Sequence, residues 1–269
     1  MAVSMVEIVE DLRAETLDLE RMLAPLPAAA WETATPAPGW AVRDQVSHLA
    51  WFDDAAVQAA TAPDDFRAAT AGATAEARGV DDIAARYRAL SVRELREWFR
   101  AARARLLDVL AGLDAKARIA WYGPDMSAAS FATARLMETW AHGQDVADAL
   151  GVSRPPTDRL RHVAHIGVRA LPYSFAAHGR QVPAAPVRVE VTLPSGAVLA
   201  LGPESAADVV RGAALDFCLV VTQRRHLADV ALDVTGPVAA EWMPIAQAFA
   251  GPPGAGRSPG QFARAGEGV

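Results

Sequence analysis

A single cysteine, Cys218, and a single lysine, Lys116, stand out in a chain of 269 residues. One cysteine excludes an intrachain disulfide. It lies in the apolar run Phe217-Cys218-Leu219-Val220-Val221, which predicts a buried small hydrophobe. A reactive thiol would need an accessible, electropositive setting. With one lysine, the positive charge is almost all arginine, and Arg224-Arg225 is no more than a pair. The formal net charge is −6. Such a chain recruits a phosphate backbone poorly, so nucleic acid is not an expected partner. No apolar run reaches 18 residues, which predicts no membrane span. The first residues carry Glu7, Glu10 and Asp11 instead of a basic start and an apolar stretch, so no signal peptide is expected and a cytoplasmic location is the default.

Apolar residues make up 52% of the chain and charged residues 22%, enough for a substantial core in an ordinary globular protein. The length suits two cores better than one. Residues 5–23 place Val6, Val9, Leu12, Leu19 and Leu23 near a 3.6-residue rhythm, which predicts a helix stopped by Pro25 and Pro27. A second helix is predicted over 42–60, a loose connection over 63–79, a long third helix over 82–113, and a loop over 119–125. A fourth helix over 127–150 is predicted to stop at Gly151. Pro155-Pro156 marks a hinge, and one more helix over 158–175 completes the helical part. The rhythm then changes to period two at 187–191. The turn Pro194-Ser195-Gly196 and a strand over 197–201 complete a hairpin. A helix over 204–222, a strand over 230–234 and a helix over 238–249 follow. The expected fold is mainly α: an up-down four-helix bundle over 1–178, a small α+β domain over 179–251, and a flexible tail over 252–269.

Glu138 and His142 are four residues apart on the fourth helix and therefore share a face. A carboxylate oxygen and an imidazole nitrogen so spaced can ligate one metal ion, and a solvated or capping pair has the same spacing. His48 sits among apolar neighbours in the middle of the second helix. It reads either as a core histidine or, if helices two and four face each other, as the third member of a His/Glu/His set. Three protein ligands with one free position characterise a catalytic zinc site. Asp44 and Asp145, four residues before His48 and three after His142, are candidates to orient the imidazoles, with helix-end charge and solvation as their ordinary roles. For a substrate carboxylate the candidates are Arg86 and Arg93, or Arg211, Arg224 and Arg225. Trp40, Trp51, Trp98, Trp121 and Trp140 either line a cavity or form plain core. His162, His165, His178 and His226 carry no functional assignment.

The segment 39–49, Gly-Trp-Ala-Val-Arg-Asp-Gln-Val-Ser-His-Leu, resembles the second-helix motif of the DinB/YfiT-like metalloproteins. The segment 138–151, from Glu138-Thr139-Trp140-Ala141-His142 to Gly151, is similar to their fourth-helix motif. The nearest branch is the mycothiol-dependent maleylpyruvate isomerase group. The resemblance implies that His48, Glu138 and His142 bind a divalent metal, most commonly Zn2+. It also implies that a small thiol such as mycothiol occupies the metal's open position. Thr235-Gly236-Pro237 followed by a helix resembles the end of the sterol-carrier-like domain that members of this branch carry.

On this resemblance the expected activity is a metal-dependent, thiol-dependent isomerase or S-transferase acting on a small electrophile, in a monomer or homodimer. Two other readings stand beside it. One is a metal-dependent hydrolase using metal-bound water, with Asp145 as a base. The other is a non-catalytic protein that binds a metal or a small ligand.

Overall fold

A computed structural model describes residues 4–71 and 79–262. The chain forms two compact units, Met1–Arg154 and Pro155–Val269. Four long helices dominate the first: α1 (Met5–Leu23), α2 (Val42–Thr61), and, after the short α3 (Pro63–Thr70) and α4 (Val80–Arg86), α5 (Val92–Ala111) and α6 (Ala128–Leu150). Between α5 and α6 a two-stranded ribbon pairs β1 (Arg118–Ile119) with β2 (Met126–Ser127). Helix α1 packs on α6, and α2 packs on both α5 and α6, which makes the expected bundle. Its core includes Leu19, Leu23, Trp31, Val46, Leu49, Leu95, Phe99 and Val146.

Local chemistry sets the helix ends. Ser4, Ser91 and Ser127 each accept a hydrogen bond from the backbone N–H three residues on. Glu94 returns the bond to the Ser91 N–H at 2.8 Å, completing a capping box. Helix α6 ends where Gly151 adopts φ 64°, a left-handed conformation that suits glycine. The Ser91 cap also explains one departure from expectation. The helix foreseen over 82–113 is two helices, because the chain leaves α4 at Tyr87 and restarts at Ser91. Part of the connection foreseen over 63–79 is helix α3, which opens on Pro63 and buries Phe66; residues 72–78 lie outside the described residues.

One buried side chain ties the bundle together. Arg103 of α5 is 2% exposed. Its Nε donates to Asp53 Oδ2 of α2 at 2.6 Å, its Nη2 to Thr139 Oγ1 of α6 at 3.0 Å, and its Nη1 to Thr16 Oγ1 of α1. A single guanidinium therefore joins α5 to the other three long helices.

In the second unit, α7 (Leu160–Arg169) and α8 (Leu171–Ala177) replace the single helix foreseen over 158–175. Pro172, at the start of α8, cannot donate to a continuous ladder. Both helices belong to this compact unit and not to the first. Helix α7 packs against α9 (Ala214–Val221) through Gly167, where a Cβ would stand 2.7 Å from Val221 Cγ2. A mixed sheet in the order β4-β3-β5-β6 joins β3 (Val187–Thr192), β4 (Val198–Leu201), β5 (Asp208–Ala213) and β6 (Leu232–Thr235). The β3–β4 hairpin is antiparallel, β3 runs parallel to β5, and β6 is antiparallel to β5. Strand β5 occupies part of the segment read as helix over 204–222. The helix foreseen over 238–249 is only α10 (Pro237–Trp242), followed by a 3-10 turn over Met243–Ile245. Alternating Val187, Val189 and Val191 are buried, and Phe217 of α9 meets Trp242 of α10 at 6.0 Å. Cys218 is buried, as expected, and burial pushes its thiol pKa well up. In the stretch read as a tail, Gly260 N–H donates to Asp229 and the Arg225 guanidinium lies over the Phe262 ring at 4.2 Å; residues 263–269 lie outside the described residues.

Breaking a buried pair by deleting one partner strands the other charge, at a cost of roughly 3–5 kcal/mol. Arg103→Ala is expected to lower the unfolding free energy by about that much. Asp53→Leu, which takes the shared carboxylate from both Arg103 and the buried Arg135, should lose at least as much. Urea titration followed by circular dichroism measures both.

Candidate metal centre

Helices α2 and α6 meet in layers. His48 on α2 and Glu138 and His142 on α6 each offer a ligand atom, and the three atoms lie within 4.8 Å of one another. Both histidines are buried and Glu138 is partly so. Glu138 Oε2 stands 3.1 Å from His142 Nε2 and 3.8 Å from His48 Nε2. The imidazole centroids are 4.4 Å apart. Trp40 closes one side, its ring 6.0 Å from His142 and nearly parallel to it, and 5.3 Å from His48. Phe52, one turn after His48, closes another at 4.5 Å.

A hydrogen-bond chain behind His142 determines where its proton sits. The Thr35 hydroxyl donates to the Trp40 carbonyl at 2.9 Å, so its lone pair accepts the Gln45 Nε2–H at 2.9 Å. That turns Gln45 Oε1 toward His142 Nδ1, 2.5 Å away, and the oxygen can only accept. The ring proton is therefore on Nδ1, and Nε2 aims a bare lone pair at the Glu138 carboxylate. Two acceptors facing each other at 3.1 Å call for a cation between them. His48 adds a second imidazole nitrogen to the same point, and its buried Nδ1 has no hydrogen-bond partner. Ligand atoms about 2 Å from a tetrahedral zinc lie about 3.3 Å apart, so the spacing found here fits a divalent ion after small side-chain shifts.

The electrostatics keep these groups in ligand form. Burial, aided by the nearby His142, lowers the His48 pKa to about 4, so its imidazole is neutral near pH 7. For Glu138, burial pushes the pKa up, but the adjoining imidazoles, which donate to it once protonated on the facing nitrogens, and the Arg135 charge outweigh burial and hold the carboxyl well below its usual range.

The family model for the mycothiol maleylpyruvate isomerase N-terminal domain matches residues 12–147, half of the chain, and spans all three ligand residues. The chain belongs to this family. An uncharacterized protein of Mycobacterium tuberculosis strain H37Rv, and its counterpart in strain CDC 1551, are 50% identical over 250 residues, covering 93% of this chain and 97% of each relative. The crystal structure of mycothiol-dependent maleylpyruvate isomerase, and that of a histidine-to-alanine mutant of it, superpose with a TM-score of 0.57 at 17% identity, over 83% of this chain and 90% of theirs. At that identity the likeness concerns the fold.

In this member of the mycothiol maleylpyruvate isomerase family, His48, Glu138 and His142 come together, and the other candidates do not join them. Asp44 accepts the Ala41 N–H at 2.8 Å and pairs with Arg88 at 2.9 Å, so it serves the start of α2. Asp145 is buried on the next turn of α6 and stands outside the cluster of ligand atoms. Arg86 is exposed, and Arg93 pairs with Glu97 on the surface. Arg211 pairs with Glu190 on the sheet, and Arg224 and Arg225 also lie in the second unit. Sequence reasoning missed Gln45 and Arg135. Both had a signal: Gln45 lies three residues before His48, and Arg135 is the one basic residue in α6, three before Glu138.

The lowered His48 pKa sets a pH dependence. A histidine held neutral in the fold but free to protonate when unfolded favours unfolding as the medium turns acidic. In metal-free protein its contribution is intact above pH 6.5 and is lost as pH falls toward about 4. The loss is roughly 3 kcal/mol. The depressed Glu138 pKa adds a loss of the same sign below the ordinary value of 4.5. Chemical denaturation at steps from pH 7.5 to 4 should show this decline, and His48→Gln should flatten its upper part.

Proposed function

We propose that the chain is a divalent-metal-dependent enzyme that pairs a small thiol with a small electrophilic substrate, in the manner of a mycothiol-dependent isomerase or S-transferase. The observation that carries the reading is the convergence of His48, Glu138 and His142 from two facing helices. Family membership supports the thiol. His48, Glu138 and His142 would hold the metal, and one carboxylate with two imidazoles is a donor set that suits Zn2+. A metal held there would supply Lewis-acid chemistry, favouring the deprotonated form of a thiol.

The remaining work falls to the chain's own residues. Gln45 holds the His142 proton on Nδ1 and so presents Nε2 as a ligand. Glu138 would set one negative charge against the two positive charges of a divalent ion. Trp40 and Phe52 shield the imidazoles from water on two sides, which strengthens every charge interaction between them. The sealed Cys218 is not needed, because the thiol arrives with the co-substrate.

Metal analysis tests the ligand set. The wild type is expected to hold one divalent ion per chain, and His48→Ala, Glu138→Ala and His142→Ala to lose it. Stoichiometric metal in all three variants would remove the basis of the proposal. Gln45→Leu should keep the site but weaken it about 10–100-fold, the usual cost of losing such a partner, in competition with a chromophoric chelator. For the chemistry, cobalt-substituted protein titrated with mycothiol should develop a thiolate-to-metal absorption band. No change at millimolar thiol, together with turnover of ester or amide substrates in its absence, would shift the reading to hydrolysis.

A further inference from the structure

One layer below the His/Glu/His set, α6 presents Arg135 on the same face as Glu138 and His142, at spacings of three and seven residues. The side chain is almost fully buried. Its guanidinium lies over the ring of Phe52 at 5.7 Å, and Phe52 in turn touches His48. Its Nε and Nη2 are sealed from solvent; Nε has only a long 3.5 Å ion-pair contact with Asp53 Oδ1, and Nη2 has no hydrogen-bond partner. Buried donors left unmade cost about 1–3 kcal/mol each, so such an arrangement calls for an explanation.

The charges around it give one. Asp53 is the nearest carboxylate at 3.5 Å, but Arg103 already holds it, with contacts of 2.6 and 3.4 Å. One carboxylate thus serves two buried guanidiniums, and a positive charge is left over. Burial disfavours the charge on Arg135, Asp53 and Glu138 support it, and Arg103 opposes it. Once Glu138 ligated a divalent ion its negative charge would be engaged there, and Arg135 would be left with the shared Asp53 at 3.5 Å and an unpaired Nη2.

We propose that Arg135 is the anion-binding residue of this site and that the ligand it receives carries an oxyanion, with a carboxylate as the planar match to its guanidinium. Paired N–H donors and a fixed positive charge suit a carboxylate better than a neutral carbonyl. The assignment deepens the metal-site reading and makes the open side of the centre selective for negatively charged reactants. It also gives the metal and the anion opposite responses to one substitution. Removing a positive charge beside the ion favours the ion, while removing it beside the anion disfavours the anion.

The test uses full-length protein and acetate as the probe, with acetamide as its neutral counterpart. Cobalt absorption is followed through each titration for wild type, Arg135→Met and Arg135→Lys, after metal content has been measured. Wild type is expected to bind acetate and ignore acetamide. Arg135→Met should bind acetate roughly tenfold or more weakly, the usual value of a hydrogen bond to a charged group, while holding cobalt at least as tightly as wild type. Equal acetate affinity in wild type and Arg135→Met, or acetamide binding as well as acetate, overturns the assignment. If Arg135→Met does not fold, Arg135→Lys decides, since it keeps the charge and loses the fork: weaker acetate binding at unchanged metal content supports the proposal, and unchanged binding overturns it. If wild type takes up no metal, the metal reading fails separately. Acetate-dependent thermal shifts of the metal-free proteins then judge Arg135, and equal shifts in wild type and the folded variant overturn its role.

Discussion

The position of every group in the candidate centre depends on α2 and α6 keeping one register, and the Arg103 guanidinium holds that register. It bonds Asp53 on α2, five residues after His48, and Thr139 on α6, next to Glu138, and so pins the two helices close to where His48, Glu138 and His142 converge. A buried ion pair contributes little net stability compared with well-packed apolar residues, because desolvation offsets the attraction. Its value here is geometric. An apolar interface tolerates sliding, whereas a fork that must reach three side chains on three other helices does not. A ligand set needs placement within about half an ångström, and a polar node of this kind supplies it.

From the node outward the site has a vertical order. Asp53 and Arg135 lie nearest the node, Phe52 packs over Arg135, His48 and Glu138 come next, and His142 and Gln45 close the far end. The Thr35 hydroxyl and the Trp40 carbonyl extend the polar chain into the loop before α2. That loop is fastened separately, since Trp40 Nε1–H donates to Asp81 and Arg88 donates to the Gly39 carbonyl. The imidazoles are thus oriented from both ends, by a deep ionic cluster and by an amide-hydroxyl relay.

Much of this was legible in the sequence, and the parts that were not share a cause. Periodicity and caps locate α1, α2 and α6, since each long amphipathic segment carries its own start and stop. The Glu138/His142 spacing is local to one helix, and His48 is conspicuous as an ionisable residue in an apolar stretch. The break between α4 and α5 was also written locally, as the Ser91–Glu94 capping box, but the apolar rhythm on either side masks it. Strand β5 was not legible: Asp208 to Val221 is nearly continuous in apolar residues, and such a run does not distinguish a buried strand from a buried helix. Gln45 and Arg135 draw their meaning from partners about 97 and 82 residues away, across a helix pairing that no local pattern specifies.

The seclusion of Cys218 has a consequence for durability. Its sulfur rests against the Leu160 carbonyl with no exposed surface, and burial keeps it in the protonated form. Alkylating agents and oxidised low-molecular-weight thiols both require an accessible thiolate to modify a protein. This chain offers them none in the folded state, so neither kind of reagent can inactivate it through its one cysteine.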